Sequence, residues 1–325
     1  MLDERWSPDE QDLADGLRRL LDKVCDSAAV RAAEDDEYGR NPVVEQALDE
    51  FGIWDLGSDP GLLAAAAWEL GRSLGPVPFP ERAAVGTLGL HGVYAERGFA
   101  PAGFDVLVAG FHGDLVRAIT GSPVRTAAGD LVVAVQPTAD LVASAEEADR
   151  VLRLVRLLFA SRAVGAAEGI LRLAVEYVKE RQQFGRAIGS FQAVAHRLAD
   201  AAGAIDGAGL AVRKAAWVAH PDQGGDGAPD LTFCAIARSA AEDAAEAAVA
   251  AAHQVMGGYG FTIEEDCQLY SRRTRAWRLR LDPVDQELTA LARRLLEPAE
   301  RDVTRWLWHH ERGLPLPRWA ADTDG

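Results

Sequence analysis

The chain has 325 residues, of which 48% are hydrophobic and 7% aromatic, and its formal net charge is −16 at pH 7. This length allows one large core or several layered ones, and the low aromatic content favours helices over a β-rich architecture. Neutralising nucleic-acid phosphates requires a surplus of Lys and Arg, so the charge excludes a general nucleic-acid-binding protein.

The three cysteines, Cys25, Cys234 and Cys267, show neither close pairing nor metal-ligand spacing. This argues against a disulfide framework and against a structural zinc site. The N-terminus is acidic from its third residue, unlike a secretory or transit sequence, and no apolar run of about 18 residues predicts a membrane span. We therefore expect a cytoplasmic protein that does not bind metal or enter membranes.

The first 75 residues have the pattern of a helical domain. Ser7 is a predicted helix N-cap, with Pro at the next position and Glu10 placed to complete a capping box. Further helices are predicted over residues 43–51 and 61–74. The run Gly-Pro-Val-Pro-Phe-Pro that begins at Gly75 cannot continue a helix, so we place the end of this domain there.

Residues 76–146 differ in character and predict a reduced β domain. Residues 106–108 and 131–135 have the composition of short strands. We interpret the intervening breakers as punctuation between strands; they are Gly121, Pro123, Gly129 and Pro137. The segment is too short for a full independent barrel.

Residues 147–312 predict a helical bundle, followed by a tail over residues 313–325. Apolar residues recur at helical spacing in five stretches, at 148–180, 191–220, 231–256, 265–281 and 284–308. The third stretch is Ala-rich and stops at Gly257-Gly258. Long helices with short connections favour an antiparallel arrangement, so the fold class is mainly α.

Two segments of this bundle resemble the C-terminal signatures of acyl-CoA dehydrogenases. The first is KERQQFGRAIGSFQAVAHRLAD from Lys179, and the second is QVMGGYGFTIE from Gln254. A weaker resemblance lies in WELGRSLG from Trp68. The chain is thereby identified as a member of that superfamily. The resemblance implies N-terminal helices, a central β region, a C-terminal four-helix bundle, and FAD shared between neighbouring subunits.

Carried over position by position, the resemblance assigns cofactor binding to six residues: Arg181, Gln183, Phe184, Gln254, Gly257 and Gly258. A guanidinium can fork onto pyrophosphate oxygens, and glycines let backbone amides approach an anion. The alternative is that Gly257 and Gly258 only cap a helix and that Arg181 is a solvated helix end.

The catalytic carboxylate of the family is missing here, so the catalytic residue is unknown. The position of the usual Glu aligns near Leu281, and Ser161 stands where a minority of members carry it. A nearby aspartate of the family is replaced by Phe159. Asp282 is a neighbouring carboxylate that could act as a surrogate base, although Asp-Pro also marks helix boundaries.

Arginines cluster between residues 272 and 280, at Arg272, Arg273, Arg275, Arg278 and Arg280. Salt bridges with acidic neighbours are one interpretation, and binding of CoA phosphates is the other. Near the C-terminus, Trp306, Trp308 and Trp319 are either interface anchors or caps of the core. The adjacent pair His309-His310 would not share a helix face, so it does not predict a metal site.

Two functions remain open from the sequence. The first is a flavin-dependent α,β-dehydrogenation of an acyl-CoA or acyl-carrier thioester, in a dimer or heterotetramer whose related subunit supplies the Glu. The resemblance to shortened, base-lacking subunits implies bulky acyl groups such as steroid side chains. The second is a homologue that kept the scaffold for non-redox chemistry or for binding alone.

Overall fold

The computed structural model describes residues 6–37, 39–110, 112–126 and 129–296, with side chains through residue 293. Three predicted features lie outside the described residues: the end of the helix over residues 284–308, the C-terminal tryptophans Trp306, Trp308 and Trp319, and the pair His309-His310. Among the described helices, none combines the length and apolar character that crossing a membrane requires.

The N-terminal part forms helices α1 to α5, which span Pro8–Val24, Ser27–Asp35, Pro42–Phe51, Pro60–Arg72 and Phe79–Gly86. The predicted capping box is present: the Ser7 hydroxyl accepts from the Glu10 amide, and the Glu10 carboxylate accepts from the Ser7 amide. Helices α2 and α5 were not predicted from the sequence. Helix α5 lies in the segment expected to be β, with Pro80 in its first turn, where no amide hydrogen is required.

The central part is one mixed sheet of strands β1 to β5, which span Val93–Ala95, Phe99–Pro101, Val106–Ala109, Leu115–Arg125 and Leu131–Ala143. Their spatial order is β1-β3-β4-β5-β2, with β1 parallel to β3 and the other pairs antiparallel. Both predicted strands are confirmed within β3 and β5. The prediction that Gly121, Pro123 and Pro137 separate strands is wrong, because they lie inside the long, bulged ladder of β4 and β5.

The C-terminal part forms the bundle, with helices α6 to α10 over Ala145–Glu180, Gln192–Ala219, Leu231–Met256, Cys267–Arg278 and Val284–Leu296. These helices agree closely with the predicted stretches up to residue 296. Helix α6 is the central element, because it packs against α4, α5, α7, α8 and α9. One continuous apolar core joins the N-terminal helices to the bundle, whereas the sheet has a small core of its own. The mainly α architecture is therefore confirmed.

Candidate cofactor and substrate site

The first motif forms a protruding hairpin at the end of α6. Arg181 caps the helix in an extended conformation. The chain then forms strand β6, Gln182–Gln183, which pairs with β7, Arg186–Ala187. The turn between them is Phe184-Gly185, with positive φ angles of 54° and 80°. The hairpin thus presents the predicted residues Arg181, Gln183 and Phe184 on the surface, where all three are exposed.

Phe184, at the tip of this hairpin, combines strain with exposure. A non-glycine residue in the left-handed region costs about 1–2 kcal/mol, and the Phe184 side chain is 92% exposed. Its ring makes an edge-on contact with the ring of Phe191, with 6.0 Å between centroids. Little burial compensates for this strain, so packing within the described residues does not explain it.

The second motif follows the end of α8. Gly257 caps the helix at φ 60° and ψ −142°, a conformation that is open essentially to glycine alone, and a 3₁₀ turn over Gly257–Phe261 follows. A Cβ atom at Gly257 or Gly258 would meet no atom within 4 Å. The Gly257 amide donates to the His253 carbonyl, so it is not free to bind an anion. Gly258 and the side-chain amide of Gln254 are exposed and remain as candidates for contact with an anion.

The two motifs meet at the same end of the bundle. The ring of Tyr177, one turn before Arg181, stacks on the ring of Tyr259 with 5.8 Å between centroids. Tyr259 directly follows Gly258. Within the described part of the chain, the Arg181 side chain forms no hydrogen bond or ion pair, so its cation is available. We call this exposed end of the bundle, formed by residues 181–186 and 254–259, the motif surface.

A cavity of about 680 Å³ adjoins the second motif, since His253 and Phe261 contribute to its wall. The rest of its apolar lining comes from α6, α8, α9 and the residues just after α9. It includes Phe159, Ala160, Ala163, Ala241, Ala245, Val249, Trp277 and Leu281. A volume of this size accommodates a bulky organic ligand. We call it the acyl cavity.

Neither aligned position of the family's base presents a proton acceptor to this cavity. Leu281 and Phe159 line it, and Leu281 is only 2% exposed. Ser161 is fully buried and donates its hydroxyl hydrogen to the Ala64 carbonyl at 2.6 Å. The structure therefore places apolar side chains where the resemblance implies a carboxylate.

The described carboxylates that do line the cavity are engaged with arginines. One oxygen of Glu242 accepts from Arg238 at 2.9 Å, and the other lies 2.8 Å from Nε of Arg278. Glu246 is 77% exposed and lies 3.6 Å from Arg278. A substrate C–H group would have to displace an ion pair to reach Glu242, so this residue does not resemble a poised base.

Asp282 does not serve the acyl cavity either. Its carboxylate is half exposed and lies 4.0 Å from Nε of Arg97. It lines a different cavity, of about 280 Å³, beside α10. The hypothesis of Asp282 as a surrogate base thus lacks the geometry it needs, because Leu281 faces one cavity and Asp282 the other.

The salt-bridge interpretation of the arginine cluster is correct for four of its members. The ion pairs, all 2.8–3.3 Å long, are Arg272–Glu34, Arg273–Glu34, Arg273–Asp130, Arg278–Glu242, Arg280–Glu81 and Arg280–Asp130. They connect α2, α5, α8 and the β4–β5 turn to α9 and to Arg280, which lies just beyond it. Burial alone would raise the pKa of Asp130, but Arg280 and Arg273 hold it below its ordinary value.

Sequence reasoning missed these acidic partners and also missed the role of Arg162. The Arg162 guanidinium is 3% exposed, donates to the Gly75 carbonyl at 2.8 Å and stacks on Trp277 at 3.9 Å. Burial lowers the pKa of Arg162 to about 10. Trp277 also lines the acyl cavity, so this stacked pair fixes part of the cavity wall.

The comparisons with known proteins agree with this architecture. Residues 146–280 match the family model described as acyl-CoA dehydrogenase, C-terminal domain. The acyl-CoA dehydrogenase IpdE2 of Mycobacterium tuberculosis is 32% identical over 310 residues, which cover 82% of this chain and 91% of the relative.

Two solved structures share the fold. The ChsE4–ChsE5 complex from Mycobacterium tuberculosis superimposes with a TM-score of 0.76 at 21% identity, covering 91% of this chain and 99% of the other. The Tcur3481–Tcur3483 steroid ACAD gives a TM-score of 0.73 at 20% identity, covering 87% and 96% respectively. The signature segments, the bundle and the near-full-length relative lead to one conclusion: the chain belongs to the acyl-CoA dehydrogenase family.

Proposed function

We propose that this chain is the supporting subunit of a heteromeric acyl-CoA dehydrogenase, which removes the α- and β-hydrogens of a bulky acyl-CoA thioester. The observation that carries the proposal is a contrast within the site. The motif surface is open and keeps a free cation, whereas the adjoining acyl cavity presents Leu281 at the aligned position of the usual base and Phe159 where the family carries an aspartate. A related subunit would then supply the catalytic Glu.

The residues of the motif surface are compatible with FAD. Arg181 would bind the pyrophosphate, Phe184 would contact the adenine side, and Gln254 and Gly258 would donate hydrogen bonds to the dinucleotide. Exposure of all four, with open space around Gly258, supports this assignment. The flavin, when bound, supplies the hydride acceptor of the dehydrogenation.

The chain's own residues would position the acyl group and exclude water. The wall of Phe159, Trp277 and Leu281 is apolar, and such a wall strengthens electrostatic interactions at a reacting α-carbon. With no free carboxylate of this chain at that wall among the described residues, the proton acceptor would have to enter from the partner. Two of the structural neighbours are named as pairs of chains, which supports a two-chain assembly.

The test is to purify the chain alone and after co-expression with a related, Glu-containing subunit encoded beside it. The visible spectrum of each preparation reports bound flavin. We expect a yellow protein on co-expression and little or no flavin on the chain alone, because each subunit would hold only part of the dinucleotide. Flavin-free protein in both preparations would overturn the proposal and favour a scaffold with non-redox chemistry or binding alone.

A second measurement addresses the base. In the flavin-containing assembly, replacing the partner's catalytic Glu by Gln should reduce dehydrogenation of an acyl-CoA by at least about 10²-fold. Replacing Asp282 of this chain by Asn should leave the rate nearly unchanged, because that carboxylate lies outside the acyl cavity. The opposite pattern would place the base in this chain.

A further inference from the structure

Helix α9 presents a row of three arginines to the acyl cavity. Arg272, Arg275 and Arg278 are spaced three residues apart, which places them along one face of a helix, and all three line the cavity. They share its wall with the apolar groups of Trp277 and Leu281. The cavity therefore combines an apolar wall with a cationic edge.

Two of these arginines already have partners. Arg272 lies 3.0 Å from Glu34 and donates to the Gln268 side chain at 2.6 Å. Arg278 lies 2.8 Å from Glu242. The Arg275 side chain is exposed and, among the residues that the structure describes, makes neither an ion pair nor a hydrogen bond. Its five N–H donors are the ones that remain for a ligand.

One cation of the cavity wall is left without an acidic partner. Four arginines and two glutamates line the cavity, and Glu287 and Glu34 pair with Arg238 and Arg272 from outside the lining, so the unpaired cation among the described residues is that of Arg275. The remaining titratable group, His253, has its pKa lowered by burial, so it adds no positive charge at neutral pH. An unpaired guanidinium at the edge of an apolar cavity attracts an anionic group of the ligand.

We propose that Arg275 binds a free carboxylate on the acyl group, so that the preferred substrates are CoA thioesters of dicarboxylic or similarly anionic acids. This inference rests on the proposed function and narrows its substrate class. A guanidinium binds a carboxylate through two parallel hydrogen bonds. The CoA phosphates are the other anions available, but the apolar neighbours of Arg275 match an acyl chain better than a polar nucleotide.

The proposal is tested by calorimetric binding to the co-purified assembly, with two ligands that differ at one end of the acyl chain. Adipoyl-CoA carries a terminal carboxylate, and hexanoyl-CoA carries a methyl group on a chain of equal length. We expect Arg275→Gln to weaken adipoyl-CoA binding about tenfold and hexanoyl-CoA binding less than about twofold, as loss of one charge-assisted pair implies. Arg275→Lys should retain part of the preference.

The matched control is Arg19→Gln, which removes the same charge from an exposed position on α1, outside the acyl cavity. It should leave both affinities unchanged. Equal losses for both ligands in Arg275→Gln, accompanied by weaker binding of 3′,5′-ADP, would assign Arg275 to the CoA phosphates and overturn the proposal. Unchanged affinities would overturn it as well. Failure of the wild-type assembly to bind either thioester would instead overturn the proposed function itself.

Discussion

Glycines are closely packed where α4 crosses α6 and have open space around them at the motif surface. Where α4 crosses α6, they remove side chains so that the two backbones can touch. A Cβ at Gly71 would lie 2.0 Å from the Arg162 carbonyl oxygen, and a Cβ at Gly165 would lie 1.9 Å from that of Trp68. The helices are therefore as close as their main chains allow, and this contact joins the N-terminal domain to the bundle.

At the motif surface, glycines leave space instead. A Cβ at Gly258 would meet no atom within 4 Å. The stacked rings of Tyr177 and Tyr259 and the acyl cavity lie nearby. The chain gains no packing from this glycine, yet the segment around it is ordered into a 3₁₀ turn. The glycines between α4 and α6 therefore serve folding, whereas we propose that Gly258 serves a ligand or a partner.

The largest effect is expected from Gly165→Ala. The added methyl group would overlap the Trp68 carbonyl, and neither backbone can move without separating α4 from α6. We expect a loss of at least about 3 kcal/mol in the free energy of unfolding, or failure to fold. Urea unfolding followed by circular dichroism measures this change.

Gly203→Ala is the matched control for that substitution. Gly203 lies within α7, is exposed, and has open space where its Cβ would be. Alanine should stabilise the isolated chain by about 0.5–1 kcal/mol through helix propensity. Equal destabilisation by both substitutions would show that the close contact at Gly165 is not what makes glycine necessary there.

The next largest loss of stability is expected from breaking the ion pairs that connect the sheet to α9. Asp130 is 8% exposed and lies between Arg273 and Arg280, at 3.0 and 3.3 Å. Asp130→Asn leaves both cations short of a buried partner, so we expect a loss of about 3 kcal/mol at pH 7.

The pH dependence of this substitution has a definite sign. The folded-state pKa of Asp130 is held below its ordinary value of 3.8. The stabilisation by its charge is therefore fully present above about pH 4 and is lost as the pH falls through the folded-state value. Wild type and Asp130→Asn should converge in stability below pH 4 in urea unfolding series. A constant difference down to pH 3 would contradict the assigned role of the charge.

Much of the helical fold could be predicted because its signals are local. The capping box at Ser7 and the Gly257 stop of α8 depend on residues within one or two turns, and both are present. Helix α5 is not predictable in this way, because Pro80 resembles a helix breaker although proline is tolerated in a first turn. Pro123 likewise resembles a strand breaker, whereas bulges in the ladder of β4 and β5 accommodate it.

The candidate site also has a part that local sequence predicts and a part that depends on tertiary packing. The two motif segments are recognisable from the sequence alone, and in the structure they meet at one end of the bundle through the stacked rings of Tyr177 and Tyr259. The partners of the arginine cluster could not be found, because Glu34 and Arg272 are 238 positions apart in sequence. The acyl cavity likewise exists only after α6, α8 and α9 have packed.

The proposed role of the motif surface is tested by Arg181→Ala in the flavin-containing assembly. We expect about tenfold weaker retention of FAD, because one charge-assisted contact to the pyrophosphate is lost. The thermal stability of the isolated chain should not change, since the Arg181 side chain is exposed. Lys179→Ala, an exposed cation two residues earlier that pairs with Glu176, should leave flavin retention unchanged and serves as the control.

The smallest and most discriminating effect is expected from Gly258→Ala. Since Gly258 does not have a positive φ and its Cβ would be free of contacts, alanine should change the free energy of unfolding by less than about 0.5 kcal/mol. If the surface is kept bare for a dinucleotide, the methyl group should nevertheless weaken flavin retention by the assembly, measured by dialysis against buffer and the absorbance that remains. An assembly that keeps its flavin while tolerating alanine would show that the open glycine serves no ligand, and the contrast with the packed glycines of α4 and α6 would then be one of packing density alone.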